Sequence, residues 1–201
     1  MKLIRVWDLP TRVGHWLLAV AFLVAWITGD SEEWRLVHVM AGATMVAVVL
    51  YRVAWGFVGT NYARFNQFVT HPAAAVAYLK SLLGGSPEHH TGHNPAGGLA
   101  IVALLATTLV TGAVGWLAYQ DFGGDWLGEF HEGAANFLMA LVGVHLAGVA
   151  IGSLAHGENL PRSMVTGLKR GEASEAITGT KPVALVVLLI WVVAAAWLLS
   201  R

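Results

Sequence analysis

Nine histidines punctuate this 201-residue chain, and four of them, His15, His38, His131 and His145, fall within or at the ends of long uncharged runs. An imidazole can ligate a metal through a neutral ring nitrogen or carry a proton near neutral pH. An ionisable group inside an apolar helix is costly, so its presence there raises a functional reading by default. The plainer reading, a histidine bonded to a neighbouring helix, suits any one of the four and strains to cover all of them. His131 and His145 are 14 residues apart. On a helix they return to within about 40° of one face, separated by about 21 Å of rise. One helix would thus present two ligands to the same side at two heights.

Other metal chemistries are closed off. The chain has no cysteine, which removes disulfides, iron–sulfur clusters, thiolate catalysis and covalent Cys-x-x-Cys-His haem attachment. Its 12 basic and 12 acidic residues balance, so no net positive charge points to nucleic acid.

The elements that must position the histidines are legible in the composition. Hydrophobic residues make up 56% of the chain and charged residues 12%, against about a quarter charged in soluble domains. Uncharged runs occupy 13–29, 36–51, 96–120, 133–157 and 182–200, each near the roughly 20 residues that span a hydrocarbon core. Backbone groups in lipid must bond internally, so these are expected to be helices. The first run lacks a small-residue cleavage site and carries His15, and is expected to be a retained span. The chain therefore reads as an all-α integral membrane protein of five spans. The first four are expected at about 13–29, 35–56, 96–118 and 131–154, within a unit covering 1–157. A polar cytoplasmic linker at 158–180 and a fifth transmembrane helix at 181–201 would follow. Within the loop 57–95, Pro72 opens a possible surface helix carrying Val76, Leu79, Leu82 and Leu83, which Gly84, Gly85, Ser86 and Pro87 would end.

Charge sets direction. Lys2, Arg5 and Arg12 precede the first span, Arg52, Arg64 and Lys80 follow the second, and Arg162, Lys169, Arg170 and Lys181 separate the fourth and fifth. The other connections hold Asp30, Glu32, Glu33, Asp121, Asp125, Glu129 and Glu132. The basic segments predict an N-terminus in the cytoplasm and a C-terminus on the outer side of the membrane. Trp7, Trp34, Trp55 and Trp126 fall near the expected interfaces, as an aromatic belt requires, though three of them could equally serve packing. In this topology His15 and His145 share the inner depth, and His38 and His131 the outer. Each pair could clamp a flat macrocycle between two helices. Bis-histidine ligation closes both axial positions of an iron, which suits electron transfer better than oxygen binding. Gly14, Gly42, Gly143 and Gly148 lie near these histidines and would allow close approach, or simply helix packing.

Longer motifs extend the case. The run Val6-Trp7-Asp8-Leu9-Pro10-Thr11-Arg12-Val13-Gly14-His15-Trp16 resembles the amino-terminal signature of bacterial cytochrome b561 proteins, which the b-type cytochrome subunits of nickel–iron hydrogenases share. So do Arg52-Val53-Ala54-Trp55-Gly56-Phe57-Val58-Gly59, Ala63-Arg64-Phe65, Gly92-His93-Asn94-Pro95 and His131-Glu132 followed by His145. The resemblance covers about residues 4–170. It implies a four-helix bundle with two non-covalent b haems on His15, His145, His38 and His131, the fifth span being an accessory or partner-facing addition.

The remaining candidates are less direct. Arg52 and Arg64 are candidates to neutralise haem propionates, with Arg12 and Arg5 explained by topology alone. His93 could contact a propionate or a quinone, or merely cap the third span, the reading favoured from sequence. His89 and His90 in Glu-His-His-Thr-Gly-His read as a solvated loop ahead of an adventitious metal site, and His71 and His156 as structural. Two haems at different depths give an electron path between the membrane surfaces. The resemblance implies exchange between membrane quinone, ubiquinone or menaquinone, and a periplasmic cytochrome or hydrogenase-like partner. Superoxide:ubiquinone oxidoreduction is an alternative, against which the acidic outer loops count, Arg35 notwithstanding. A histidine-dependent proton or metal-ion transporter is a rival of another class, and would be colourless. A membrane anchor whose haems chiefly support assembly is a third.

Overall fold

The computed structural model describes residues 2–86 and 88–199. Pro87, the first residue of the expected 1–157 unit and the last two of the expected fifth span lie outside the described residues. The elements in order are β1 (Lys2–Arg5), α1 (Leu9–Thr28), α2 (Arg35–Val58), α3 (Pro72–Leu83), α4 (Pro95–Tyr119), α5 (Trp126–His156), α6 (Leu160–Thr166), β2 (Leu168–Gly171) and α7 (Pro182–Leu199). Four of the helices, α1, α2, α4 and α5, are long and apolar enough to cross a membrane, whereas α7 is shorter.

Local sequence explains the helix starts. Asp8 accepts from Thr11 N to cap α1, with Pro10 in the first turn. Asn94 does the same for α4 through Gly97 N at 2.7 Å, with Pro95 following. Proline loses nothing in a first turn, where its missing N–H would have had no partner. The surface helix opens at Pro72 and ends before Gly84, as the sequence suggested. The helices run past the expected spans: α5 begins five residues before 131, because Trp126–Phe130 continue the helix beyond the charges that bound the apolar run.

α1 packs on α2, α2 on α4, and α4 along α5, while α5 stands off the helices that carry the other two histidines. Between them, Ala21, Met45 and Leu138 form a small buried cluster, one residue from each of α1, α2 and α5. Leu138 lies seven residues from His131 and seven from His145. α7 lies against α2 and α1 through Leu188, Val192, Ala47 and Val48. Two bonds across that seam tie side chains to backbone: Trp191 Nε1 donates to Ala47 O at 2.8 Å, and Tyr51 OH to Ala184 O at 2.7 Å.

Three expectations change here. Residues 158–180 do not behave as a plain linker. β2 pairs antiparallel with β1, Lys2 opposite Gly171 through Arg5 opposite Leu168. Further bonds join Val6 N to Gly167 O, Leu9 N to Thr180 O and Ile177 N to Arg5 O. The all-α description therefore omits one two-stranded ribbon, formed because an extended N-terminus has open backbone groups that the returning segment satisfies. Trp7, expected at an interface, is 4% exposed and donates to Ser163 Oγ at 3.4 Å, whereas Trp34 and Trp126 stay exposed. The ribbon covers one end of the bundle, called here the basic end; the opposite, acidic end carries the loops 29–34 and 120–125.

Candidate functional site

The structure brings the four intramembrane histidines together in the pairs that depth suggested. His15 of α1 faces His145 of α5 with ring centroids 6.4 Å apart, toward the basic end. His38 of α2 faces His131 of α5 at 5.9 Å, toward the acidic end. Rings bound directly to one another stack or bond at shorter range. Imidazole nitrogens bond first-row metals at about 2 Å, so two rings on opposite sides of one metal atom would have centroids about 6 Å apart. The residues present thus fit axial ligation of one iron per pair. No three histidines or acids among the described residues stand close enough together to hold a bare metal ion, those of the His89–His90 loop included.

Backbone carbonyls fix the acidic-end rings. His38 Nδ1 lies 2.8 Å from Ala25 O, and His131 Nδ1 lies 3.0 Å from Thr111 O. A carbonyl can only accept, so each Nδ1 carries the hydrogen and each Nε2 is left as the free ligating nitrogen. Gly115 makes room for this. A Cβ there would meet His131 Cε1 at 2.6 Å, so only glycine lets the ring lie against α4. Nothing in the spacing of histidines pointed to Gly115.

The basic-end pair is held differently. His15 Nδ1 is buried with no bond partner, as is one guanidinium nitrogen of Arg52. Arg52 lies over Phe65 and Phe68 at 5.3 and 5.7 Å from their centroids, a buried cation with bonding capacity to spare. That is the chemistry a haem propionate would satisfy. Arg64 is exposed and donates Nε to Gly59 O at 2.8 Å; no described contact links it to the histidine rings. His93 is not the cap of α4, since Asn94 fills that position. Instead its ring packs on Trp7 at 4.6 Å and Phe68 at 4.9 Å. Burial, then the positive charges of Arg52 and Lys169, push His93 down to about 3, so it is neutral at physiological pH.

Asp8 organises this end. It is fully buried, and besides capping α1 it accepts from Trp55 Nε1 at 3.0 Å and Thr60 Oγ1 at 2.6 Å. Trp55 therefore serves an interior contact rather than a belt. The carboxylate pins the start of α1, two turns before His15, to the end of α2, which carries Arg52. Gly14 likewise serves packing, its Cβ position lying 3.4 Å from Val48 and 3.6 Å from Leu188. Around Gly42, Gly143 and Gly148 a Cβ would meet nothing within 4 Å, so helix contact does not account for them.

Comparison with known proteins agrees with this chemistry. The family profile described as prokaryotic cytochrome b561 matches residues 6–167, and the chain belongs to that family. Its membership and four long apolar helices make it a multi-pass membrane protein of b-type cytochrome kind. A probable Ni/Fe-hydrogenase B-type cytochrome subunit of Azotobacter vinelandii is 29% identical over 138 residues, covering 55% of each chain. The corresponding proteins of Bradyrhizobium diazoefficiens and Escherichia coli K12 are 25% and 24% identical, covering 70% and 58% of this chain and 64% and 60% of their own. The chain thus spans between about half and two thirds of these relatives' length. No solved structure matches.

Proposed function

We propose that this member of the prokaryotic cytochrome b561 family is a dihaem electron carrier, its haems held by His15–His145 and His38–His131, passing electrons between membrane quinone and a redox partner. The observation that carries the reading is the repetition of one geometry at two levels: two histidine pairs, each bridging α5 to a different helix at about 6 Å. Haem iron held by such rings would supply reversible one-electron transfer. The protein's own residues set the rest. The carbonyls of Ala25 and Thr111 orient the acidic-end ligands, while Arg52 offers a buried cation to a carboxylate at the basic end, with His93 beside it as a neutral donor or acceptor.

The basic loops put the N-terminus on the cytoplasmic side of the bacterial inner membrane and the C-terminus on the periplasmic side. α7 is a fifth span, secured to α2 by Trp191 and Tyr51, with Val183, Val186, Val187, Ile190 and Val193 exposed to lipid. The dihaem unit covers 1–157 and the fifth-span unit 181–201, with 158–180 as the cytoplasmic cover that joins them. The partner is a hydrogenase-like enzyme or a basic periplasmic cytochrome, for which the acidic end, with Asp30, Glu32, Glu33, Asp125, Glu129 and Glu132, is the complementary surface. Arg35 at that end is engaged by Glu32 at 3.8 Å and lies over Tyr119, which leaves little to attract a small anion.

The test is the visible spectrum of the purified chain. Reduced-minus-oxidised b-type bands with two haems per chain, reducible by a quinol analogue, support the reading. A colourless protein would favour the transporter. Haems that no quinol reduces would favour an anchor.

A further inference from the structure

A second group of titratable side chains lies under the basic end, outside the haem-binding histidines. Lys169 of β2 and Glu158, which follows α5, form an ion pair at 3.4 Å with side chains 5% and 10% exposed. Lys169 Nζ also donates to His90 O at 3.1 Å. Glu158 Oε1 and His90 Nε2 are buried without a hydrogen-bond partner. Glu88, 73% exposed, approaches His90 Nε2 at 3.7 Å and connects it to solvent. On the other side His90 packs edge-on against Tyr78, whose hydroxyl meets His156 Nε2 at 3.2 Å, and His156 faces His89. Glu175 accepts from Thr91 at 2.6 Å and completes the charged surroundings of Lys169. The same loop runs from Glu88 at the surface to His93, packed on Trp7 beside the His15–His145 site.

Groups so arranged cost stability. A buried ion pair with an unsatisfied oxygen is a weak source of fold energy, and a short linker would need none of it. Buried groups beside a redox centre do have a use. An electron added to the centre makes the surroundings more negative and raises the proton affinity of any neutral base nearby. Burial holds His90 below the usual histidine range, so it is neutral at pH 7 and able to gain a proton.

We infer that His90 is a redox-linked proton-binding site: when one electron enters the His15–His145 haem, one proton from the basic-side solvent passes by Glu88 to His90 Nε2. The iron goes from ferric to ferrous, the imidazole becomes imidazolium, and the net charge of this end is unchanged. The electron comes from a quinol in the membrane or from a mediator dye in the cuvette. The Glu158–Lys169 pair sets the local charge balance, with Glu175, His89, His156 and Tyr78 as its other titratable neighbours and His93 and Arg52 on the haem side. The inference rests on the haem assignment proposed above and needs no quinone.

The experiment is a mediator-dye redox titration of the haem-loaded full chain on either side of neutral pH, with an indicator dye following proton uptake on reduction in unbuffered solution. One haem is expected to shift its reduction equilibrium by up to tenfold per pH unit, as one proton per electron requires. His90→Gln should abolish most of that shift and the matching proton uptake, with both haems still bound. Glu88→Gln should move the shift to lower pH without abolishing it, because the imidazolium loses its facing carboxylate. His71→Gln, on an exposed residue away from the group, should change nothing. A haem equilibrium in His90→Gln that still follows pH as in the parent overturns the inference, as does a parent chain with no pH dependence. A chain that binds no haem overturns the functional reading first, and is told apart by its colour.

Discussion

At the acidic end both histidine rings are bound through Nδ1 to main-chain carbonyls, Ala25 O for His38 and Thr111 O for His131. At the basic end His15 Nδ1 is buried without a partner, and the surroundings are side chains: Arg52, His93, Trp7, Phe68 and, behind them, Asp8. The first site is set by the backbone of rigid helices; the second is set by a polar layer that the N-terminus, α6 and β2 close over. Carbonyl-anchored rings have little freedom to respond to a change of charge, while charged and titratable side chains do respond. The two ends should therefore differ in what breaks them.

The largest effects come from the ligands. His145→Ala and His15→Ala should each cost the same haem and spare the other, lowering the haem content by about half; His131→Ala and His38→Ala should remove the opposite one. Haem-to-protein ratio and the remaining spectrum measure this. If His15→Ala and His145→Ala remove different haems, the pairing fails and the comparison with it.

Next comes Gly115→Val, which aims at the acidic end alone. Its side chain would enter space held by His131, whose Cε1 already lies 2.6 Å from a Cβ at that position. Loss of a supporting contact typically lowers metal affinity about 10–100-fold; a similar loss of acidic-end haem is expected, with the basic-end haem retained. Gly128→Val, on the same end of α5 with nothing near its Cβ position, should be silent.

Arg52→Gln probes the other end and leaves the acidic-end ligands untouched. Removing a buried cation disfavours the added electron, so the basic-end haem should become harder to reduce by about tenfold in equilibrium terms, or about 1.4 kcal/mol. A redox titration showing both haems shifted equally would mean that the two ends are not electrically distinct.

The four long apolar helices and the two levels of histidine are legible in the sequence, because apolar length, charge asymmetry and helical repeat are local or cumulative signals. What it could not carry depends on contacts between distant segments. The ribbon of Lys2–Arg5 with Leu168–Gly171 has no alternating pattern long enough to announce a strand. The burial of Lys169 follows from that ribbon, and a lysine in a polar stretch reads as solvated until the fold encloses it. His93 precedes Asn94-Pro95 and suits a cap in sequence, but Asn94 Oδ1 accepts from Gly97 N and does the capping, while His93 packs on Trp7 and Phe68. Gly115 is one small residue among many in an apolar helix, and only its contact with His131 distinguishes it.

The smallest expected effect concerns acid. His93 is held neutral by burial, at about 3 in the folded chain, against an ordinary value near 6.5 in the unfolded one. A depressed histidine contributes its full share of stability above the unfolded value and loses it as pH falls below about 6.5, the loss continuing until the folded value is reached. The slope is about 1.4 kcal/mol per pH unit for one group. Moving from neutral pH to about pH 5.5 should therefore loosen the basic end by about 1 kcal/mol. Hydrogen exchange in β1, β2 and the loop 88–94 should rise over that range, with the Ala25–His38 region of the acidic end changing less. His93→Phe keeps a flat ring against Trp7 and Phe68 and removes the titration, so it should flatten the acid response. Equal loosening of both ends, or an unchanged response in His93→Phe, would place the acid-sensitive group elsewhere.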